Sequence, residues 1–422
     1  MACCLDSSAK RQVDSATMNE RILSKINVVD MTEGVAGPYA AMLLAEMGAN
    51  VVKVERPAGD WSRPMDHFRV EGEANAQFIA LNRNKRDIGL DVASSQGKAI
   101  LRRLIARSDV LISNYRSGVM AKLGLDYDAS CAVKKDDLVY CTISGFGQDG
   151  RYASFPASDT IIQAMSGVMS MVGKPDGPPL RVGFPLIDMA AANSAVQSVL
   201  LALYGRLEGR GGACIDVSLM AAALAMMSAG YTRFLSSNKV PERQGNQNSN
   251  LAPAGAFKAG DGRYLSIAVL RDSHWLKFCA AMELGDLAED PRFVTNALRV
   301  EHRDALDEII TPMLASRPAA EWLERLRAAD ILCGPINNFA DVVADADLTQ
   351  NLPLLDPMAV DVPMAVGAPI WLDGAYAATV RPAPAKVEHT REILAEFGFT
   401  RAETEAFLRD GVAFIADDDQ LD

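Results

Sequence analysis

A chain of 422 residues, 49% hydrophobic and 23% charged, holds enough apolar material for a large core, and its length suggests two or three domains. Aromatics are only 6%, so the apolar supply is mainly Ala, Leu, Val and Met, which favours helix-rich α/β packing over a β-sandwich. A formal net charge of −12 argues against a nucleic-acid surface or an anionic-membrane surface, and an anionic ligand would need a local basic pocket.

Residues 1–20 have no apolar h-region and read as a disordered leader, and residues 417–422 as an acidic frayed end. No uninterrupted apolar run reaches about 18 residues, which argues against a membrane span. Residues 26–30 (INVVD) form a buried-strand pattern. A helical apolar pattern over 34–48 follows, with Pro38 suited to its first turn, and 50–55 (NVVKVE) is a second strand, so the chain opens with a βαβ unit. A strand at 88–92, a helix at about 95–107, a strand at 109–113, a short helix to 123 and a strand at 138–144 continue the alternation. Such alternation predicts a parallel, doubly wound sheet. A long Ala-rich helix is expected over 188–208, then a strand at 214–219 and a helix over 220–235. The polar, turn-rich stretch 236–255 reads as a linker or an active-site loop. A smaller unit follows, with a strand at 263–269, helices near 273–283 and 302–327, and the segment ILCGPINN. The tail is Pro-rich over 350–390, and a helix at 390–397 is expected to pack back on the first domain. Seven cysteines without a CxxC pair fit reduced, buried thiols in a cytoplasmic protein, and four scattered histidines argue against a metal site.

The first βαβ unit invites a dinucleotide reading, but its turn, GVAGPYA at 34–40, lacks the GxGxxG spacing, and Glu55 is followed by Arg56, which would compete for an anion. Arg56, Lys85, Arg86, Arg116 and Lys122 all fall at or beside strand ends. In open parallel sheets ligands bind outside the carboxyl ends of the strands, so this repetition suggests a large phosphorylated ligand.

Several segments carry a more specific resemblance: VVDMTEGVAGPYAAMLLAEMGANVVKVERPAGD, LNRNKRDIGLDV, DVLISNYRSGVMAKLGLDYD, TISGFGQDG, PLIDMAAANSAVQSVLLALYGRLEGRGGACIDVSL, CGPINN and VEHTREIL. Together these make the chain resemble the class III CoA-transferases, the group of formyl-CoA and carnitine CoA-transferases and α-methylacyl-CoA racemases, from about residue 26 to 397. The resemblance implies an interlocked homodimer, with a Rossmann-like large domain built from both chain ends and a smaller α+β domain between. The domains expected are 21–235, 236–340 and a return over 341–422. It implies coenzyme A as substrate, with no tightly bound cofactor, lying along Gly34, Val35, Ala36, Arg56, Leu90, Asn114, Tyr115, Arg116 and Lys122. Val92 and Ala93 stand where several relatives carry a lysine, so a phosphate contact there would have to come from Arg86 or Arg116.

By the same resemblance the nucleophile is Asp188, in GFPLIDMAAANSA. A carboxylate can act covalently and split acyl exchange into easier steps. Asp is also a frequent helix N-cap, and both roles can coincide, with N–H groups at the helix start steadying oxyanion charge. Asp159 is a second acid, at a position acidic near the active site of some relatives, able to steer the acceptor or act on protons. The racemase branch needs a His, but Ser158 stands at that position and the four histidines (67, 274, 302, 389) lie outside 150–212. A non-catalytic CoA-binding homologue is a further alternative, and a related lyase or an intramolecular CoA transfer between two carboxyls of one molecule would also keep Asp188. The chain also lacks the glycine run of formyl-type relatives, which points to an acceptor other than oxalate, a short dicarboxylate or hydroxy acid.

Overall fold

The computed structural model describes residues 22–65, 75–134, 137–349, 366–372, 375–376 and 381–416. The expected leader, the acidic end, His67 and much of the return segment lie outside the described residues. The chain divides into two units, a larger one of 1–166, 182–232 and 352–422 and a smaller one of 167–181 and 233–351.

In chain order the elements begin β1 (Asn27–Met31), α1 (Ala36–Glu46), β2 (Asn50–Glu55), α2 (Ala76–Asn82), β3 (Arg86–Leu90), α3 (Ser95–Ala106) and β4 (Val110–Ser113). They continue α4 (Val119–Leu123), α5 (Tyr127–Lys134), β5 (Val139–Ser144), α6 (Asp159–Met165), α7 (Val168–Met171), α8 (Leu186–Leu207), β6 (Ala213–Ser218), α9 (Leu219–Met226) and α10 (Ser228–Ser237). The smaller unit supplies β7 (Ala254–Lys258), β8 (Tyr264–Ala268), α11 (Asp272–Ala281), α12 (Asn296–Glu301), α13 (Arg303–Leu314), α14 (Ala319–Ala328), β9 (Leu332–Pro335), α15 (Phe339–Ala344) and α16 (Ala346–Thr349). Two short strands, β10 (Trp371–Leu372) and β11 (Ala375–Tyr376), precede α17 (Thr390–Glu396), α18 (Arg401–Arg409) and β12 (Ala413–Phe414).

Six strands run parallel in the order β3-β2-β1-β4-β5-β6, and β12 adds an antiparallel edge beside β3. The expected all-parallel sheet is therefore mixed. The strand order reverses between β1 and β4, which makes the carboxyl ends of those strands the place for a ligand. Val29, Leu111, Ile88 and Tyr140 of the strands form one core with Leu101 and Leu104 of α3 and with Ile393, Leu394 and Phe397 of the returning chain end. The smaller unit has its own core around Trp275, Phe278, Phe293 and Trp322, beneath the antiparallel sheet β7-β8-β9. The helix expected over 302–327 is two helices there, because Pro318 caps the start of α14.

β3 starts two residues before the expected strand. The charged pair Arg86 and Asp87, which a polarity pattern excludes, is buried and partnered: Arg86 bonds Glu392, Glu396 and Asn50, and Asp87 Oδ2 accepts from the Val387 N–H at 2.6 Å, while Asp87 Oδ1 has no hydrogen-bond partner among the described residues. Lys85 is fully buried, its Nζ 2.8 Å from Asp30. Lys85 and Arg86 thus sit at the amino end of β3 and tie the fold together, and are not ligands of a phosphate at the strand carboxyl ends. α8 is by length and composition long and apolar enough to cross a membrane. In this structure it buries Ile187, Ala191, Ala195 and Val199 in the larger unit. Of the five described cysteines, Cys214 is exposed, which departs from the expectation of buried thiols.

Candidate active site

A cavity of about 310 Å³ opens outside the carboxyl ends of β1, β4, β5 and β6, entirely within the larger unit. Glu33, Val35 and Ala36 reach it from the β1–α1 turn, and Asn114, Tyr115 and Arg116 from the segment after β4. The β1–α1 turn is fixed to the β4 segment by Asn114, whose Oδ1 accepts from the Glu33 N–H at 2.9 Å while its Nδ2 donates to the Glu33 carbonyl at 2.7 Å. Gly37 is needed for that turn to pack: a Cβ there would lie 2.4 Å from the Thr32 Cβ. α1 then starts with no side-chain cap and no acid in its first turn, the nearest carboxylates being Glu33 and Asp60, whose Oδ1 accepts from the Gly34 N–H at 3.2 Å.

Asp188 lines the same cavity, in the first turn of α8. It does not cap that helix. The residue at the cap position is Pro185, without a side-chain bond, and the acceptor comes from far away in sequence: Asp159 Oδ2 accepts from the N–H of Ile187 at 2.7 Å and of Asp188 at 3.2 Å. The other oxygen of Asp159 accepts from the Gln163 side chain, and Gln163, itself fully buried, accepts from the Val182 N–H at 2.8 Å. The N–H groups of Leu186 and Met189 bond the carbonyls of Phe184 and Pro185. The start of α8 is therefore spent, which corrects the expectation that its N–H groups steady oxyanion charge. No hydrogen-bond donor among the described residues reaches the Asp188 carboxylate. Burial, with the charge of Asp159 added, pushes its carboxyl up to about 7.

The other predicted residues divide. Arg56 lies beside the lining, half-exposed and held by Glu33 at 3.2 Å. Burial pushes the Glu33 carboxyl above its ordinary range, against the pull of Arg56. Leu90 is fully buried in the core beside β12, and Lys122 is exposed at the end of α4; neither lines this cavity. Ser158 lines the cavity, and among the described residues no histidine does. Sequence reasoning missed Trp61 and Phe155, two aromatic residues of the lining that fall in segments without periodicity.

The sequence profile described as CoA-transferase family III matches residues 23–390. The chain is 34% identical, over 89% of its length and 95% of the other, to a protein named succinate–glutarate CoA-transferase from Agrobacterium fabrum (strain C58). It is 36% identical, over 77% of its length and 82% of the other, to an acetyl-CoA:oxalate CoA-transferase from Acetobacter aceti. Among solved structures, a CAIB/BAIF family protein from Brucella suis superposes with a TM-score of 0.82 at 33% identity, covering 89% of this chain and 99% of that one.

Proposed function

The chain belongs to CoA-transferase family III, and from that premise we propose that it moves coenzyme A from an acyl-CoA donor to a carboxylic acid through an acyl intermediate on Asp188. The observation that carries the reading is the Asp188 carboxylate itself, lining a cavity at the sheet's switch point with no donor among the described residues spent on it. Its carboxylate attacks the thioester carbonyl, the C–S bond breaks, and CoA thiolate leaves behind a mixed anhydride. The thiolate then attacks the aspartyl carbonyl, expelling the donor acid as its carboxylate and leaving an aspartyl-CoA thioester. The acceptor carboxylate attacks that thioester to form a second anhydride, and the thiolate takes the acceptor's acyl group, restoring Asp188. The uncapped start of α1 at Val35 and Ala36 is the local feature suited to the oxyanions or to ligand phosphate. Arg116, the basic side chain on the lining, suits an anionic part of the acyl-CoA. Ser158 in place of a histidine speaks against α-proton exchange.

The names of the similar proteins support a short dicarboxylate as acceptor, and oxalate belongs in the panel because one of them is named for it. The test is a donor–acceptor screen in which the CoA esters formed are identified by mass spectrometry. Transfer from succinyl-CoA or acetyl-CoA to at least one short dicarboxylate is the expected outcome, and hydrolysis alone, with no new ester, would sink the reading. We propose also that the protein works as an interlocked homodimer. The apolar side chains of Leu201, Tyr204 and Leu207, which α8 leaves exposed, support a covered face. Light scattering over a wide dilution series should show a dimer throughout, and a folded monomer at low concentration would refute it.

A further inference from the structure

Trp61 and Phe155 are among the lining residues that have no part in the acyl-transfer steps, and Trp61 is held firmly by its neighbours. The Trp61 side chain is 44% exposed, yet its chain neighbours Asp60 and Ser62 are buried to 1% and 0%. Asp60 Oδ1 accepts from both the N–H and the hydroxyl of Ser62 at 2.8 Å, and from the Gly34 N–H at 3.2 Å. Asp60 Oδ2 takes the Lys53 ammonium at 2.9 Å, and that ammonium also donates to the Thr32 carbonyl at 2.6 Å. One buried ion pair therefore fixes both the turn that presents the indole and the β1–α1 loop beside it. The ring lies against that loop: a Cβ on Gly34 would come 2.4 Å from Trp61 Cζ2, so the glycine leaves the indole its place. A singly exposed tryptophan on an unanchored surface turn would mean little. This one is a clamped wall.

Phe155 reaches the cavity from the loop after β5 and is 48% exposed. Its ring meets Tyr152 edge-on at 5.1 Å, and Tyr152 packs on Phe146 at 5.4 Å. The cavity's volume of about 310 Å³ lies at the low end for small-molecule sites, too small for a whole acyl-CoA. Because Asp188 lines it, the reacting acyl group belongs at the Asp188 end of the cavity.

We propose that Trp61 is a specificity-determining residue, whose clamped indole, together with Phe155, bounds the acyl end of the cavity and limits the length of the acid that reaches Asp188. This rests on the reading of Asp188 as the site of acyl transfer. The test compares the wild type with Trp61→Ala and Trp61→Leu, using straight-chain acceptors from acetate to octanoate and from oxalate to suberate. In the wild type kcat/KM should fall off with length. In Trp61→Ala the longest acids should gain about tenfold or more while the shortest stay within a few-fold, the scale at which a pocket discriminates methylenes. Trp61→Leu, which keeps an apolar side chain on the turn, should shift the cut-off in the same direction by less, and it carries the test if the alanine variant fails to fold. An unchanged length ranking overturns the proposal. So does a uniform rise in KM for every acyl-CoA regardless of chain, which would put the indole against the coenzyme. A wild type that transfers CoA to no acid overturns the Asp188 reading and this proposal together, whereas an active wild type with an unaltered ranking in both variants removes only the role of Trp61.

Discussion

Asp188→Ala abolishes CoA transfer, leaving turnover lower by on the order of 10⁴-fold or more, because the step it removes is bond formation and not orientation. Asp188→Asn should be nearly as poor, since an amide forms no acyl intermediate of this kind. The asparagine variant also separates chemistry from folding. The folded state holds the Asp188 proton more tightly than the unfolded chain, up to about pH 7, so ionising this carboxyl as the pH rises through that value costs stability. Removing the charge should raise the melting temperature by a few degrees at pH 8 and leave it unchanged near pH 4, where the group is protonated in the fold. A variant that is inactive and more stable at pH 8 meets both expectations. Near-normal exchange in either variant would take the nucleophile's role away from Asp188. Arg116→Ala provides the contrast: with a ligand anion lost and the nucleophile intact, KM for acyl-CoA should rise about tenfold with kcat within a few-fold. An equal loss in kcat would place Arg116 in the chemistry.

The second large effect is the pH dependence of the first acyl transfer. Only ionised Asp188 attacks, so the rate constant for aspartyl-intermediate formation should be flat above about pH 7 and fall about tenfold for each pH unit below it, about a hundredfold by pH 5. Burial is the larger cause of the raised value and the neighbouring carboxylate the smaller. Asp159→Asn removes the charge while keeping an oxygen that can accept from Ile187 and Asp188. The acid limb should therefore move down by about one pH unit and not return to an ordinary carboxylate value. Glu33 and Arg116 share the lining and stay in place in both proteins. Single-turnover formation of the intermediate, measured by rapid quench from pH 5 to 9, decides the matter. A limb unmoved by Asp159→Asn would show that the two carboxylates do not interact, and one centred near pH 4 in the wild type would show that burial does not act on Asp188.

Much of the sheet could be read in the sequence because its strands are apolar runs with polar edges. The expected 50–55 strand is β2 residue for residue, and the 95–107 helix differs from α3 by one position. The failures share a cause. Arg86 and Asp87 are held in a strand by partners that return from about 300 residues away, Glu392 and Glu396 for Arg86 and the Val387 N–H for Asp87 Oδ2. β12 and α18 went unseen, since a two-residue strand has no pattern of its own and exists through its pairing with β3. The residues proposed to touch ligand show the same division. Val35, Ala36, Asn114, Tyr115, Arg116, Asp159 and Asp188 come together at one cavity, whereas Leu90 and Lys122 lie off it.

By itself, then, the order of residues determined the alternating elements, the family and the cluster of segments around Asp188, because those depend on apolar spacing and on short motifs read within a few positions. The tertiary structure alone decided that Asp159 and not Asp188 caps α8, that Lys85 and Arg86 serve the fold and not a ligand, and that Trp61 lies on Gly34. Each of those pairings joins groups far apart in the chain, and burial makes each group take whatever partner the topology brings within hydrogen-bonding or packing distance.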